Sequence, residues 1–463
     1  MSKPNVIFFF TDDQRFDTIR ALGNKHISTP NIDALVREGT AFTNAHIMGG
    51  TSPAVCMPSR AMLHTGRTLF HIQEQGQDIP AEHTMMGECF QRAGYRTFGT
   101  GKWHNGRPAY ARSFTDGAEI FFGGMWDHWN VPAYDFDPTG RYDTQQPQCR
   151  NFGTSNKLDY MGCDHIKAGK HSSELFADAT IAFLKGRKSK DPFFAYVSFM
   201  APHDPRTMPR KFLEMYDPDK IPLPENFLPD HPFDNGELAG RDEELAPHPR
   251  TPDVIRRHIA EYCAMISHAD AEIGRVIEAL KDTGQYEDTV IVFAGDNGLA
   301  LGRHGLMGKQ NVYDHSVHVP LIMAGPGVPK GETRDALCYL IDIFPTLCAL
   351  ADVPVPATVE GRSLAPVMHD PAHAIRDTLP LAYLGLHRSV RDDRWKLIEY
   401  VVDGTRTTQL FDLENDPFEM NNLAGDAACA QHLRRLSKEL IRWHGELDDP
   451  YDEFWNKYEE DGT

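Results

Sequence analysis

Short apolar runs alternate with helical patterns along most of the chain. Residues 5–10, 193–199, 289–293 and 319–323 are nearly unbroken in Val, Ile, Leu and Phe. Such runs predict strands buried on both faces, as in a sheet covered front and back. Between them, Thr29 and Pro30 mark a helix start, with Thr29 as its cap and Gly39 near its end. The clearest helix is predicted over residues 252–281. There Ile255, Ile259, Tyr262, Ile266, Ile273, Val276, Ile277 and Leu280 recur at helical spacing, and Gly284 follows as a stop. Strand–helix alternation of this kind predicts an α/β sandwich.

The pattern changes after about residue 375. Residues 389–391, 395–398 and 408–412 read as short antiparallel strands, and 427–447 as a closing helix. We therefore expect a larger unit over residues 1–374 and a smaller α+β subdomain with a short antiparallel sheet over 375–463. Residues 105–165 and 205–250 are rich in Pro, Gly and aromatics, and read as long excursions of the kind that carry function.

The polar residues that follow the predicted strands share a chemistry. The first strand runs into Asp12 and Asp13. A strand near Arg96 runs into Lys102 and His104, the 193–199 strand into His203, and the 289–293 strand into Asp296 and Asn297. In open α/β sheets, ligands bind beyond the carboxyl ends of the strands. Either acidic pair alone reads equally as ordinary turn residues or as metal ligands. Two pairs of oxygen-only donors at two strand ends predict a site for a hard divalent cation such as Ca²⁺ or Mg²⁺.

Composition narrows the partners. The chain has 463 residues, 41% of them hydrophobic, which is ample for a large core. Its 66 acidic and 47 basic residues give a formal charge of -19, which argues against nucleic acid or an anionic membrane as partner. No stretch approaches the length of a membrane span. The eight cysteines (Cys56, Cys89, Cys149, Cys163, Cys263, Cys338, Cys348 and Cys429) form no paired spacing. With no secretion signal in the run Met1-Ser2-Lys3-Pro4-Asn5, a cytoplasmic protein with reduced thiols is expected. The composition leaves homo-oligomerisation open.

Cys56 lies in the run Cys56-Met57-Pro58-Ser59-Arg60, and a helix start there predicts a lowered thiol pKa and a welcome for anions. The longer run through Ala61, Met62, Leu63, His64, Thr65, Gly66 and Arg67 resembles the signature of the type I sulfatases, Cys-x-Pro-x-Arg followed by Thr-Gly-Arg. His64 stands where that signature has an apolar residue. Gly99-Thr100-Gly101-Lys102-Trp103-His104 is similar to the second family signature. Further matches are Ala201-Pro202-His203, Gly295-Asp296-Asn297-Gly298, His304-Gly305, Gly308-Lys309 and Leu410-Phe411-Asp412-Leu413-Glu414-Asn415-Asp416-Pro417. The resemblance covers nearly the whole chain. It implies the fold of the alkaline-phosphatase superfamily, with a large, mixed, mostly parallel central sheet flanked by helices.

The resemblance also implies a mechanism. A maturation enzyme, the formylglycine-generating enzyme, oxidises Cys56 to formylglycine (3-oxoalanine). Asp12, Asp13, Asp296, Asn297 and the modified Cys56 hold Ca²⁺, with Mg²⁺ or Mn²⁺ as alternatives. The aldehyde hydrate has two hydroxyls: one attacks sulfur, and the other lets the sulfated adduct expel sulfate. Arg60 steadies the nucleophile, Lys102 and Lys309 bind sulfate oxygens, His203 protonates the departing alkoxide or Lys309 shares that task, and His104 takes the last proton. The expected substrate is a small sulfate ester, such as a carbohydrate sulfate. His304, Arg206, His315, His387 and Arg388 are candidates for recognising it. The run Met125-Trp126-Asp127-His128-Trp129 reads as a sugar-stacking wall or as core, so Trp126 and His128 join them. Two readings compete: a formylglycine-dependent phosphonate or phosphodiester hydrolase, and an inactive relative that binds sulfated ligands.

Overall fold

The structure is a computed structural model that describes residues 3–460; Met1 and Ser2, at the start of the run read as lacking a signal, lie outside the described residues. Eight strands form the main sheet: β1 (Asn5–Thr11), β2 (Gly39–Phe42), β3 (Arg96–Lys102), β4 (Asp116–Phe121), β5 (Phe193–Ser198), β6 (Thr289–Gly295), β7 (Leu321–Ala324) and β8 (Glu332–Arg334). Their order is β8-β2-β7-β6-β1-β5-β3-β4. Only β7 runs antiparallel to its neighbours. The apolar run at 319–323, read as a strand like the others, is thus the one that returns against the sheet.

Strand β1 shows why these runs are apolar throughout. Val6, Phe8 and Phe10 point into one core and Ile7 and Phe9 into another. Each fully buried phenylalanine contributes about 1.5–3 kcal/mol. The main flanking helices are α1 (Pro30–Glu38), α2 (Cys56–Thr65), α3 (Ser172–Gly186), α4 (Pro252–Asp282) and α5 (Ile343–Leu350). Helices α2 and α5 cover the first core through Met62, Leu63, Ile343 and Leu347. Helices α1, α3 and α4 cover the second through Leu35, Phe176, Ile273 and Val276. Among the described residues, no helix is long and apolar enough to cross a membrane.

Helix α1 starts where the sequence predicts, but Thr29 does not cap it with its side chain. The Thr29 hydroxyl donates to Asp33 Oδ1 (3.0 Å) instead. Asp270 of α4 accepts from the free amides of Asn31 (3.1 Å) and Ile32 (2.8 Å). The cap is therefore tertiary. Asp270→Ala is expected to cost about 1–3 kcal/mol, the usual penalty for orphaned buried donors. Urea unfolding reads this as a lower midpoint at unchanged slope; an unmoved midpoint would show that α1 does not depend on this cap. Burial pushes the Asp270 carboxyl up from 3.8 to about 6. Its contribution therefore favours the folded state less as pH rises between those values, and the variant should lose that part of the pH slope.

The second sheet contains β9 (Leu379–Tyr383), β10 (His387–Arg391), β11 (Trp395–Val402) and β12 (Thr405–Asp412), all antiparallel, with α6 (Ala430–Glu446) packed on it. Its last strand is the pair Gly49–Gly50, which runs parallel to β9. This close approach requires glycine: a Cβ on Gly49 would lie 1.9 Å from the Ala382 carbonyl oxygen. Asp314 adds an ionic tie, accepting from Lys396 (2.6 Å) and Arg391 (3.2 Å). The smaller sheet is thus completed by residues from the first part of the chain.

Candidate active site

Four strand ends meet on one rim of the main sheet. Strand β1 delivers Asp12 and Asp13, β3 delivers Lys102 and then His104, β5 leads to His203, and β6 delivers Asp296 and Asn297. The amide of Asp296 donates to Thr11 O (3.0 Å), and that of Asp12 to Ala201 O (3.1 Å), so the ends stay tied beyond the ladder. Asp13 and His104 sit in the left-handed region (φ 67 and 71). That conformation is uncommon outside glycine and must be held by its surroundings; Asp296 Oδ1 holds the Asp13 amide at 2.9 Å.

Helix α2 brings Cys56 to this rim as its first residue. At its other end, Gly66 closes the helix at φ 66, and a Cβ there would lie 2.8 Å from Val359. The Thr-Gly of the signature is therefore helix-stop chemistry. Arg60, one turn on from Cys56, is wholly buried. It donates to Asp296 Oδ2 (2.9 Å), Ser198 Oγ (2.6 Å) and Lys102 O (3.1 Å). It thereby locks α2 to β3, β5 and the residues after β6.

At the centre, Cys56 Sγ lies 3.5 Å from Lys102 Nζ and 3.4 Å from His104 Nδ1. Lys102 pairs with Asp12 and Lys309 with Asp13, each at 2.5 Å. Asn297 Nδ2 donates to Asp13 Oδ1 (2.7 Å), and His203 Nε2 is 3.7 Å from Asp13 Oδ2. Ligand atoms of Asp12, Cys56 and Asp296 lie within 4.8 Å of one another, as do those of Asp12, Asp13 and His203. Asp12 Oδ1, Asp13 Oδ2 and Asn297 Oδ1 are buried with no hydrogen-bond partner. Buried acceptors are seldom left unmatched. Three of them in one cluster, all hard oxygens, fit a divalent cation.

Burial pushes the Cys56 thiol up to about 11, with Lys102 only partly opposing it. The helix start therefore does not yield the lowered thiol pKa expected from sequence, because loss of solvent outweighs the nearby cations. Burial, then Lys102 and Arg60, hold His104 well below the ordinary histidine value, so its imidazole is neutral at physiological pH. Burial works against the Asp12 carboxylate, but Lys102 and His203 outweigh it and keep the carboxyl below its usual value. Asp296 goes the other way, up to about 6, through burial and its neighbour Asp12. His64 lies 4.4 Å from the Trp103 ring and 4.7 Å from that of Tyr196. Burial and Arg60 push it down to about 3, so it serves as a neutral wall where the signature has an apolar side chain.

Above this centre opens a cavity of about 420 Å³, within the range of small-molecule sites. Cys56, His104, His203 and Lys309 form its floor, and Met125, Glu237, Arg241, Asp242 and Gln310 its wall. The candidate recognition residues lie elsewhere. His304 stacks on Tyr313 and bonds Asn226, and His315 packs beside the same tyrosine. His387 meets Asn235 O (2.6 Å), and Arg388 is a buried partner of Asp449. Arg206 contacts His258 (2.7 Å). Trp126 packs against the second core. His128 stands behind the site, its Nε2 3.1 Å from His203 O, and so supports His203 without lining the cavity. Glu237, Arg241 and Asp242 were missed. They belong to the 205–250 excursion, whose acidic run looks like any solvated loop; the only signal was that the excursion as a whole reads as functional.

Comparison with known proteins identifies the family. The chain is 29% identical over 471 residues to an arylsulfatase of Clostridium perfringens, covering 95% of this chain and 94% of the relative. It shares 26% identity with the solved phosphonate monoester hydrolase of Silicibacter pomeroyi, at a TM-score of 0.73 over 97% and 96% of the two chains. The fold is also that of a structure solved in complex with its substrate D-glucosamine-2-N,6-O-disulfate, at 23% identity and a TM-score of 0.77, covering 97% and 99% of the chains. The family model for N-sulphoglucosamine sulphohydrolase, C-terminal, matches residues 302–446. The sulfatase family model matches residues 4–353, the span that contains every residue of the rim, and the chain belongs to the sulfatase family.

Proposed function

We propose that the protein hydrolyses a sulfate ester of a small organic alcohol, most naturally a carbohydrate sulfate, using formylglycine made from Cys56 and a divalent cation. The observation that carries this reading is the set of three buried oxygens without hydrogen-bond partners on Asp12, Asp13 and Asn297, with Asp12 and Asp296 gathered about Cys56. Asp12, Asp13, Asp296 and Asn297 would hold the cation, with the matured Cys56 side chain reaching the same place. Ca²⁺ or Mg²⁺ suits such donors, and Mn²⁺ is the alternative. The cation would supply Lewis-acid polarisation, and the hydrated aldehyde a hydroxyl nucleophile together with a second hydroxyl for sulfate release.

The chain's own residues do the rest. Lys102 and Lys309 present ammonium groups to the sulfate oxygens and stabilise the charge that grows there. His203 lines the cavity floor, with its Nε2 3.7 Å from Asp13 Oδ2, and is placed to protonate the departing alkoxide. His104 is neutral and 3.4 Å from Cys56 Sγ, so it is placed to accept a proton from the group that replaces the thiol. Arg60 touches no substrate. It is a positioning residue that fixes Asp296 and the helix carrying Cys56. Cys56 is only 2% exposed, so a formylglycine-generating enzyme must reach it before the fold closes.

Side-by-side rates on 4-nitrophenyl sulfate and a phenyl phosphonate ester test the reading. The sulfate ester is expected to be the faster substrate. Far faster turnover of the phosphonate would assign the site to phosphonate ester hydrolysis instead. Binding of sulfated sugars without any turnover, in protein whose Cys56 is converted, would mark an inactive relative.

A further inference from the structure

The cavity wall carries an unusual charge pattern. Arg241 is its one cation, and that charge is already committed. Its Nη1 donates to Asp204 Oδ1 (2.8 Å) and Asp242 Oδ1 (2.9 Å), and its Nη2 pairs with Asp204 as well. The second oxygen of Asp242 accepts from Gln310 (2.9 Å). Glu237 is different. Its Oε1 accepts from the Tyr383 hydroxyl (2.8 Å), but its Oε2 receives no hydrogen bond from any described residue, and no salt bridge reaches it. The carboxylate lies over Gly240, where a Cβ would come within 3.1 Å of Oε2. Burial, then the nearby Asp242 and Glu243, raise its pKa, as expected for a half-buried anion short of donors.

We propose that Glu237 is the specificity-determining residue of the leaving-group side: its free carboxylate oxygen accepts hydrogen bonds from the hydroxyl or ammonium groups of a singly sulfated sugar and repels a second anionic group. The assignment rests on the sulfatase reading above. Lys309, at the floor, and Lys102, buried beside Cys56, take the one sulfate that is cleaved. The wall beyond offers no uncommitted cation for another sulfate or a carboxylate. Oε2 is reached by solvent when the cavity is empty, so its discrimination comes from a charge-assisted hydrogen bond to the sugar and from repulsion of a second anion.

The test compares matched sugars: glucosamine 6-sulfate, N-acetylglucosamine 6-sulfate and other singly sulfated hexoses and hexosamines, each against its disulfated counterpart. Wild type should favour the best singly sulfated sugar over its disulfated partner by about tenfold or more in kcat/KM. Each rate is divided by that on 4-nitrophenyl sulfate in the same preparation, so differences in folding or Cys56 conversion cancel. Glu237→Gln, which keeps an acceptor for Tyr383, should lower that normalised ratio for the preferred sugar by about tenfold. The loss should fall mainly on KM. An active wild type that prefers the disulfated sugars, or a Glu237→Gln enzyme whose ratios match wild type within about twofold, would overturn the assignment alone. A converted wild type inactive on every sulfate ester would overturn the sulfatase reading and this assignment with it.

Discussion

Cys56→Ala is expected to lower kcat/KM on a sulfate ester by at least about 10³-fold, as removal of a nucleophile generally does. The same should hold for wild-type protein in which Cys56 remains a thiol. The buried thiol is pushed up to about 11, so almost none is ionised at physiological pH. A thiol also lacks the second hydroxyl through which sulfate would leave. Specific activity should therefore rise in proportion to the fraction of Cys56 that peptide mass analysis finds as the aldehyde, with an intercept near zero. The fold should survive the substitution. Cys56 makes only long contacts with Lys102 and His104, whereas Arg60 and Gly66 anchor the helix independently. A small change in Tm beside a large loss of rate is the expected pair of results. Full activity in a sample with every Cys56 unconverted would sink the mechanism.

Removing the divalent cation should be nearly as damaging to rate and far milder to structure. Without a cation, the carboxylates of Asp12, Asp13 and Asp296 are already balanced by Lys102, Lys309 and Arg60. The apo site therefore holds no large uncompensated charge, and the fold should persist after chelation. What it lacks is a partner for the three orphan oxygens and a Lewis acid at the sulfate. Chelation is expected to lower kcat by about 10²–10³-fold, a loss like that of a major electrostatic stabiliser. Adding Ca²⁺ or Mg²⁺ should restore the rate and raise Tm in a concentration-dependent way, by about 2.7 kcal/mol of stability at a hundredfold excess over Kd. Asp12→Ala should resist that rescue. Exhaustively chelated enzyme that keeps its full rate would remove the cation from the mechanism.

Much of the catalytic floor was legible in the amino-acid sequence because it is built locally. A strand buried on both faces must be apolar throughout, so β1, β5 and β6 announce themselves, and the residue after such a strand stands at the sheet's edge. Asp12, Asp13, Lys102, His203 and Asp296 are all read by that rule, and Cys56 by the helix start and the resemblance of its run to the sulfatase signature. The direction of β7 was not legible, since an apolar run reads the same forwards and backwards. Nor was the cap of α1, because Asp270 is 238 or more positions from the amides it serves.

What the sequence alone determined, then, was the chemistry available: oxygen ligands, a lysine and two histidines at the strand ends, a cysteine at a helix start, and, through the family resemblance, a second lysine at position 309. Tertiary structure decided how that chemistry is tuned and what it faces. Burial set the protonation of Cys56, His104 and Asp296, and burial depends on which elements pack together. The cavity wall came from residues 237–242, in a segment with no periodic pattern to read. Its charge became meaningful only when folding brought Asp204 and Asp242 onto Arg241 and left Glu237 Oε2 without a donor. The same long-range packing drew His304, His315, His387 and Arg388 away from the cavity, because a histidine or arginine in sequence carries no mark of whether its partner will be a substrate or the protein itself.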